Sequence, residues 1–234
     1  MKILIIFILP LISVYGNIPF KVGEVLHYTA YFSGVKAARG ELKVLNKEKL
    51  NEIMSYHVQF NAKSIGLANH LYPINDKIDI WLSEDSLQTI KVLSNIQEGS
   101  YKYSREIIMN QNAGIAYSNK DSFPIKKNTH SPYALFYYFR MMDLQQLRDK
   151  TINTIQKKKI SQLEILIREN IDVNVPAGRF SCTEVTPIKK NKKQFKNDAK
   201  MSILFSNDSY KYPVIIRLKL KFGSLILKLD KISN

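Results

Sequence analysis

A chain of 234 residues, 45% of them hydrophobic, is long enough to bury a sizeable core in one domain. Its 35 Lys and Arg against 20 Asp and Glu give a formal net charge of +15. That excess suits either anionic partners, such as lipid headgroups, lipopolysaccharide or acidic polymers, or lysines spread over a solvated surface. The single cysteine, Cys182, excludes an internal disulfide framework.

The first element is a leader. Met1-Lys2 is a short basic start, Ile3 to Ile12 is apolar throughout, and Ser13-Val14-Tyr15-Gly16 supplies small or apolar residues where a signal peptidase reads. The apolar run falls short of the ~20 residues that span a bilayer, which favours a signal peptide cleaved near Gly16 over an uncleaved anchor. No Cys follows for a lipoprotein anchor, and no later stretch has the ~18 apolar residues of a transmembrane helix. The reading is residues 1–16 as signal peptide and 17–234 as one β-rich domain. The product is exported, to the periplasm or the outer-membrane surface. Export also removes the chain from nucleic acid.

After the leader the dominant period is two. Val22, Leu26, Tyr28, Ala30 and Phe32 share one side, with Glu24 breaking the pattern. Leu42 and Val44 alternate with Glu41 and Lys43. Met54, Tyr56, Val58, Phe60 and Ala62 alternate with Ser55, His57, Gln59 and Asn61. Ile78, Ile80 and Leu82 alternate with Lys77, Asp79 and Ser83, while Trp81 falls on the polar side. Leu163, Ile165, Ile167, Ile171, Val173 and Val175 hold one parity, broken by Glu169. Val214, Ile216, Leu218, Leu220 and Phe222 oppose Arg217, Lys219 and Lys221; after Gly223-Ser224 the apolar face resumes at Leu225, Leu227 and Leu229. These are half-buried strands. Asn207-Asp208-Ser209 is a turn signal, and Lys189 to Lys196 reads as an exposed hairpin tip. Short connections and one polar face per strand require antiparallel pairing. The expected fold is mainly β: one large curved antiparallel sheet, jelly-roll-like or a partly closed barrel, whose apolar faces meet.

One segment differs. Ser131-Pro132 has the form of a helix start, Tyr133 to Met142 is apolar except for Arg140, and Asp143 to Arg148 is polar. The spacing predicts a helix near 132–147, buried on most sides and lying on the concave face of the sheet, as core or as the lid of a cavity. Arg140 inside it needs a partner. Asp208 or Glu24 would make a structural ion pair; an anionic headgroup is the other option.

Several short motifs, in order, resemble a known family. They are Phe20-Lys21-Val22-Gly23-Glu24-Val25-Leu26-His27-Tyr28, Gly40-Glu41-Leu42, Gly66-Leu67-Ala68 with Tyr72 and Asp76, and Ser131 to Arg140. Pro176-Ala177-Gly178-Arg179-Phe180, Phe205-Ser206-Asn207-Asp208 and Tyr212-Pro213-Val214 complete the set. Over nearly the whole mature chain this resembles the exported bacterial proteins catalogued as domain of unknown function 3108. The resemblance implies an antiparallel jelly-roll-like or curved-sheet fold and no particular activity. Where that family often carries Asp before the helix, this chain has Thr129-His130-Ser131.

Motifs for chemistry are missing from the sequence. The four histidines, His27, His57, His70 and His130, lack metal-ligand spacing, and there is no nucleophile elbow, P-loop or G-x-G-x-x-G. His57, on the polar side of its strand, is expected to be solvated. Asp76 and Asp79 have opposite parity and should not converge. Cys182 reads as a small core residue. No catalytic residue, metal or cofactor is predicted. Tyr28, Tyr31, Trp81, Tyr133, Tyr137 and Arg140, with Tyr138 beside them, are the candidates to line a ligand cleft, since Tyr and Trp join an apolar body to a polar tip; ordinary packing is the competing reading. The leading expectation is a non-catalytic envelope protein that binds an apolar or amphipathic, lipid-like or anionic ligand, or an envelope protein partner, with peripheral membrane contact. A structural or assembly factor and an uncharacterised hydrolase are the alternatives.

Overall fold

The computed structural model describes residues 18–119, 121–148, 150–156, 158–190, 200–220 and 223–234. The expected leader, the greater part of the Lys189–Lys196 run, and Lys221-Phe222 lie outside the described residues. In chain order the strands of the first half are β1 (Val25–Phe32), β2 (Val35–Leu50), β3 (Ile53–Ser64), β4 (Asn75–Ser83), β5 (Thr89–Glu98), β6 (Tyr101–Asn110), β7 (Ile115–Ser118) and β8 (Asp121–Pro124). Helix α1 (Gly66–Leu71) interrupts them after β3. Then come β9 (Thr129–His130), α2 (Leu135–Met141), a 3₁₀ turn (Gln145–Leu147), β10 (Thr151–Gln156), β11 (Lys159–Val175), β12 (Gly178–Lys189), β13 (Lys200–Ser206), β14 (Pro213–Leu220) and β15 (Gly223–Ser233).

All fifteen strands form one sheet in the order β8-β7-β6-β5-β4-β3-β2-β1-β15-β14-β13-β12-β11-β10-β9. Each half is a meander, and the two halves join where β1 pairs with β15. Every pairing is antiparallel except β9 with β10. The connections explain why: Asn51-Glu52, both at positive φ (47° and 66°), make the two-residue turn whose twist suits a hairpin. The sheet does not close, since no ladder joins β8 to β9.

Alternation buries one face. Tyr56, Val58, Ile78, Ile80, Leu82, Leu42, Val44, Leu26 and Tyr28 form one core with Val185, Ile203, Phe205, Val214, Ile216 and Leu229. Glu169 breaks the apolar parity of β11 where the ladder with β12 shifts register between Arg168 and Ile171, with Asn170 at φ 56°, so it falls in a β-bulge. A second cluster, Met109, Ala116, Ile125 and Ile155, packs strands near one sheet edge (β6, β7) against β10 near the other.

The buried helix exists but is shorter than 132–147. Ser131 to Ala134 is a turn closed by the Ala134 N–H on the Ser131 carbonyl (3.0 Å), with the Ser131 hydroxyl oxygen accepting the Tyr133 N–H (3.4 Å), and Ala134 rather than Ser131 is the N-cap residue. Met142 is extended (ψ 152°), and the Asp143 carboxylate accepts the Gln145 N–H (3.0 Å), so the chain restarts as a separate 3₁₀ turn. Leu135, Phe136, Tyr137, Phe139 and Arg140 are buried, so α2 serves as core on the concave side.

Candidate functional site

Three regions carry the chemistry-bearing side chains. The first surrounds Arg140, which is 1% exposed. Its Nη1 and Nη2 donate to the two oxygens of Glu24 (2.6 and 2.9 Å), Nη2 also to the Pro19 carbonyl (3.0 Å), and Nε to the Tyr210 carbonyl (3.0 Å). Four of the five guanidinium N–H groups are thereby used. The rings of Phe20, Tyr137 and Tyr212 lie 5.3, 6.0 and 5.4 Å from the guanidinium carbon. Tyr28 donates to the Pro213 carbonyl (2.7 Å) and Tyr137 to the Lys43 carbonyl (3.1 Å); burial pushes both phenols well above their ordinary value. Glu24 is the partner, which corrects the headgroup option: the carboxylate already fills the guanidinium fork. Asp208 instead shapes its own loop, accepting the N–H groups of Tyr210 and Lys211 (2.9 and 3.1 Å).

Tyr133 sits on another flank of the helix, stacked on Phe60 (5.7 Å). Burial, then the charges of Asp76 and Glu98, push its phenol up to about 12. Burial likewise pushes the Asp76 carboxyl up to about 6, against a hydrogen bond from the Gln97 N–H (2.9 Å) and with help from Glu98. Asp76 meets Glu98, whereas Asp79 belongs to the opposite face, as strand parity requires.

The second region is that opposite, outer face. Trp81 stacks on His57 (4.3 Å, 13° between planes), donates to Glu48 (2.5 Å) and lies under the Lys91 ammonium (5.2 Å). His57 Nε2 is 3.0 Å from Asp79 Oδ1, which also accepts Gln59 (2.6 Å). His57 is thus half-buried and hydrogen-bonded rather than solvated: Trp81, on the same strand face, covers it. Tyr31, of opposite strand parity to Tyr28, lies beneath Lys228 (5.4 Å). The six candidate residues therefore do not line one cleft. Tyr28, Tyr133, Tyr137 and Arg140 gather around α2, while Tyr31 and Trp81 lie on the other face.

The third region is one that sequence reasoning missed. Ladder register aligns Glu41, Asn61, Lys77, Asn95 and Ser104 in a row across β2 to β6. Ser104 donates to Asn95 (2.8 Å) and Asn61 to Gln59 (2.8 Å). With Lys63, Lys102 and Tyr103 this row lines an open groove of about 660 Å³. A second groove of about 700 Å³, lined by Ser33, Arg217, Lys219 and Ser224 among others, lies beside the β1–β2 and β14–β15 connections. The signal was in the alternation, which put these polar residues on one strand face, but only hairpin register lines them up across strands.

Of the groups with nucleophilic or acid–base chemistry, Cys182 is buried and its thiol is pushed up to about 11 by burial. His130 is buried against Tyr138 (4.3 Å), its imidazole pushed down to about 4, with Nδ1 lacking a hydrogen-bond partner. Among the described residues, no group of three or more His, Cys, Asp or Glu is placed to hold a metal ion.

A family described as protein of unknown function DUF3108 matches residues 27–230. The chain belongs to the DUF3108 family. No curated protein matches this DUF3108 chain. Among solved structures it is similar to a β-barrel-like protein of domain of unknown function DUF1849 from Brucella abortus, at 10% identity and a TM-score of 0.58, covering 91% of this chain and 97% of that one. That likeness supports the fold: the DUF3108 chain is a curved, barrel-like sheet. An exported protein, so described as a proposal, with a YmcC-like fold from Bacteroides fragilis is similar at 12% identity and a TM-score of 0.37, covering 92% of this chain and 98% of that one. Among the described residues of this DUF3108 protein, no helix is long and apolar enough to cross a membrane.

Proposed function

We propose that this DUF3108 protein is an exported, non-catalytic protein of the bacterial cell envelope that binds an anionic, amphipathic ligand at the outer face of its sheet. The carrying observation is the polar row across β2 to β6, where Lys63, Lys77 and Lys102 flank amide side chains and Tyr103 in one open groove. Ammonium groups suit phosphate or carboxylate, and Asn and Gln both donate and accept, as a glycan or polar headgroup requires. Export is supported by the layout of residues 1–16: basic, then apolar, then small.

Non-catalytic action is supported by how the reactive groups are used. Arg140 holds Glu24, His57 and Gln59 hold Asp79, and Cys182 lies in the core. The concavity is occupied by α2, so the ligand belongs on the outer surface.

Native mass spectrometry of the processed protein, purified from its own envelope, tests this. The wild type is expected to carry a lipid- or glycan-bearing species. The K63E/K77E/K102E variant, with unchanged circular dichroism, is expected to lose it. Bare wild-type protein would sink the ligand reading, and turnover of a generic ester or glycoside by pure protein would sink the non-catalytic one.

A further inference from the structure

We propose that the end of the sheet bearing α1 docks onto an anionic lipid bilayer, with Leu67, Leu71 and Tyr72 entering the boundary between headgroups and acyl chains and the surrounding lysines meeting the headgroups.

The placement follows from the ladders. β1 ends at Phe32 and β2 starts at Val35; Ser64 at the end of β3 pairs with Ala38; Ile74, just before β4, bridges to Glu98 at the end of β5. The β1–β2 turn, α1 and the β5–β6 turn therefore crowd one end. That end is greasy. Val35 is 72% exposed, Leu67 73% and Leu71 76%, with Phe32, Tyr72 and Tyr101 exposed beside them. Leu67 and Leu71 stand one helical turn apart, on the same side of α1.

α1 is built to present these side chains rather than to bury them. None of its residues is buried. Six residues are far too few for a helix to persist alone. It is pinned from its ends instead: the Ser64 hydroxyl donates to Asn69 Oδ1 (2.7 Å), the Ile65 N–H to the Ala37 carbonyl (2.9 Å), and the Tyr72 N–H to the Ala68 carbonyl (2.8 Å). Tyr72 leans over Gly99, where a Cβ would come within 2.9 Å of its ring, and Gly99 has φ 58°. Backbone bonds and a glycine thus hold an apolar point in water, and such an exposed apolar surface marks an interaction site.

Charge selects the occupant. The same connections and adjoining strand ends carry Lys36, Arg39, Lys63, Lys77 and Lys102 against Glu41, Asp76 and Glu98, and Lys219 lines the neighbouring groove. Apolar tips with lysines set behind them are what a peripheral protein presents to an anionic leaflet. A bilayer accepts protruding points, whereas a tight protein interface wants a flat, packed patch of complementary shape. This inference shares Lys63, Lys77 and Lys102 with the ligand reading above but adds the apolar side chains of α1, which the groove does not use, so changing Leu67 and Leu71 alone lets the two fail separately.

Co-sedimentation of the processed protein with vesicles is the test. Wild type is expected to pellet with phosphatidylethanolamine–phosphatidylglycerol vesicles, to stay in solution with phosphatidylcholine, and to be released by salt. The Leu67→Ser, Leu71→Ser double variant, at exposed positions and with an unchanged melting curve, is expected to lose more than roughly tenfold in partitioning, from the apolar area no longer inserted. It should keep any groove ligand seen by native mass spectrometry. Wild type that ignores anionic vesicles yet retains its groove ligand overturns the docking and spares the ligand reading. A double variant that pellets like wild type overturns insertion by α1, and equal pelleting with phosphatidylcholine overturns the choice of an anionic surface. A wild-type dimer that the double variant abolishes, without vesicle binding, assigns the tip to a second copy of the chain and overturns the proposal.

Discussion

Where β1 meets β15, the two meanders are joined by an antiparallel ladder from Val25–Ser233 to Phe32–Leu225, with one register shift between His27 and Tyr28. At the far edges, β6 to β8 meet β9 to β11 with no ladder between β8 and β9, and side chains supply the contact. Met109, Ala116, Ile125 and Ile155 pack there. Gln111 stands in for a strand: its amide oxygen accepts the Thr129 N–H (3.3 Å), and its Nε2 donates to the carbonyls of Thr129 and Thr89 (2.8 and 2.9 Å). A ladder spreads its stability over many backbone groups that side-chain truncation leaves in place. A side-chain seam depends on a few residues and should open first.

The largest expected effect lies on the ladder side, where Arg140 ties α2 to the segment before β1. Arg140→Ala leaves Glu24 buried without its partner and should destabilise by about 3–5 kcal/mol in urea unfolding. An Arg140→Met, Glu24→Leu double variant should recover most of that loss. If the single variant unfolds like wild type, the knot around Arg140 is not what holds the helix.

Next comes acid, acting at the side-chain seam through His130 on β9. Folding holds its pKa near 4 against an ordinary 6.5. Between those values the unfolded chain takes up a proton that the folded one refuses, so stability falls as pH drops from 6.5 to 4 and this contribution levels off below. The full loss is about 3 kcal/mol by linkage. Asp76, raised from 3.8 to about 6, pulls the other way over an overlapping range, because its folded form holds the proton more tightly. Comparing His130→Leu with wild type cancels the Asp76 contribution. The variant should lose the fall between pH 6.5 and 4, and an unchanged pH profile would refute the assignment.

The smallest effect is the most local. Gln111→Ala strands the buried Thr129 N–H and carbonyl and should cost about 1–3 kcal/mol. Hydrogen exchange should quicken at Thr129 and along β9–β10 while the β1–β15 amides keep their protection. Equal acceleration at both seams would show that the sheet opens as one unit.

The same contrast explains what could be read in advance. Strand alternation survives almost intact because one sheet face is buried along its length. Glu24 stood out as an interruption in an apolar parity, and Arg140 as a charge in an apolar run; each needed the other. The helix end at Met141 was hidden because apolar residues continue through Met142, whose backbone is extended. α1 left no apolar periodicity to find, since it has no buried face. Tyr31 and Trp81 were grouped with Tyr28 by residue type alone, which gives size and polarity but not the side of the sheet. The row from Glu41 to Ser104 and the meeting of Asp76 with Glu98 depend on register across hairpins, which no single strand encodes.

Because β1 and β15 are neighbours at the middle of the sheet, the central pair is assembled from the first and the last of the described strands. A ribosome delivers one long before the other. Until the final segment emerges, each meander has a bare inner border, and joining the two requires contacts between residues about as far apart in sequence as the fold allows. Such a polypeptide should stay loose while it is being made, and lock only once β15 has emerged.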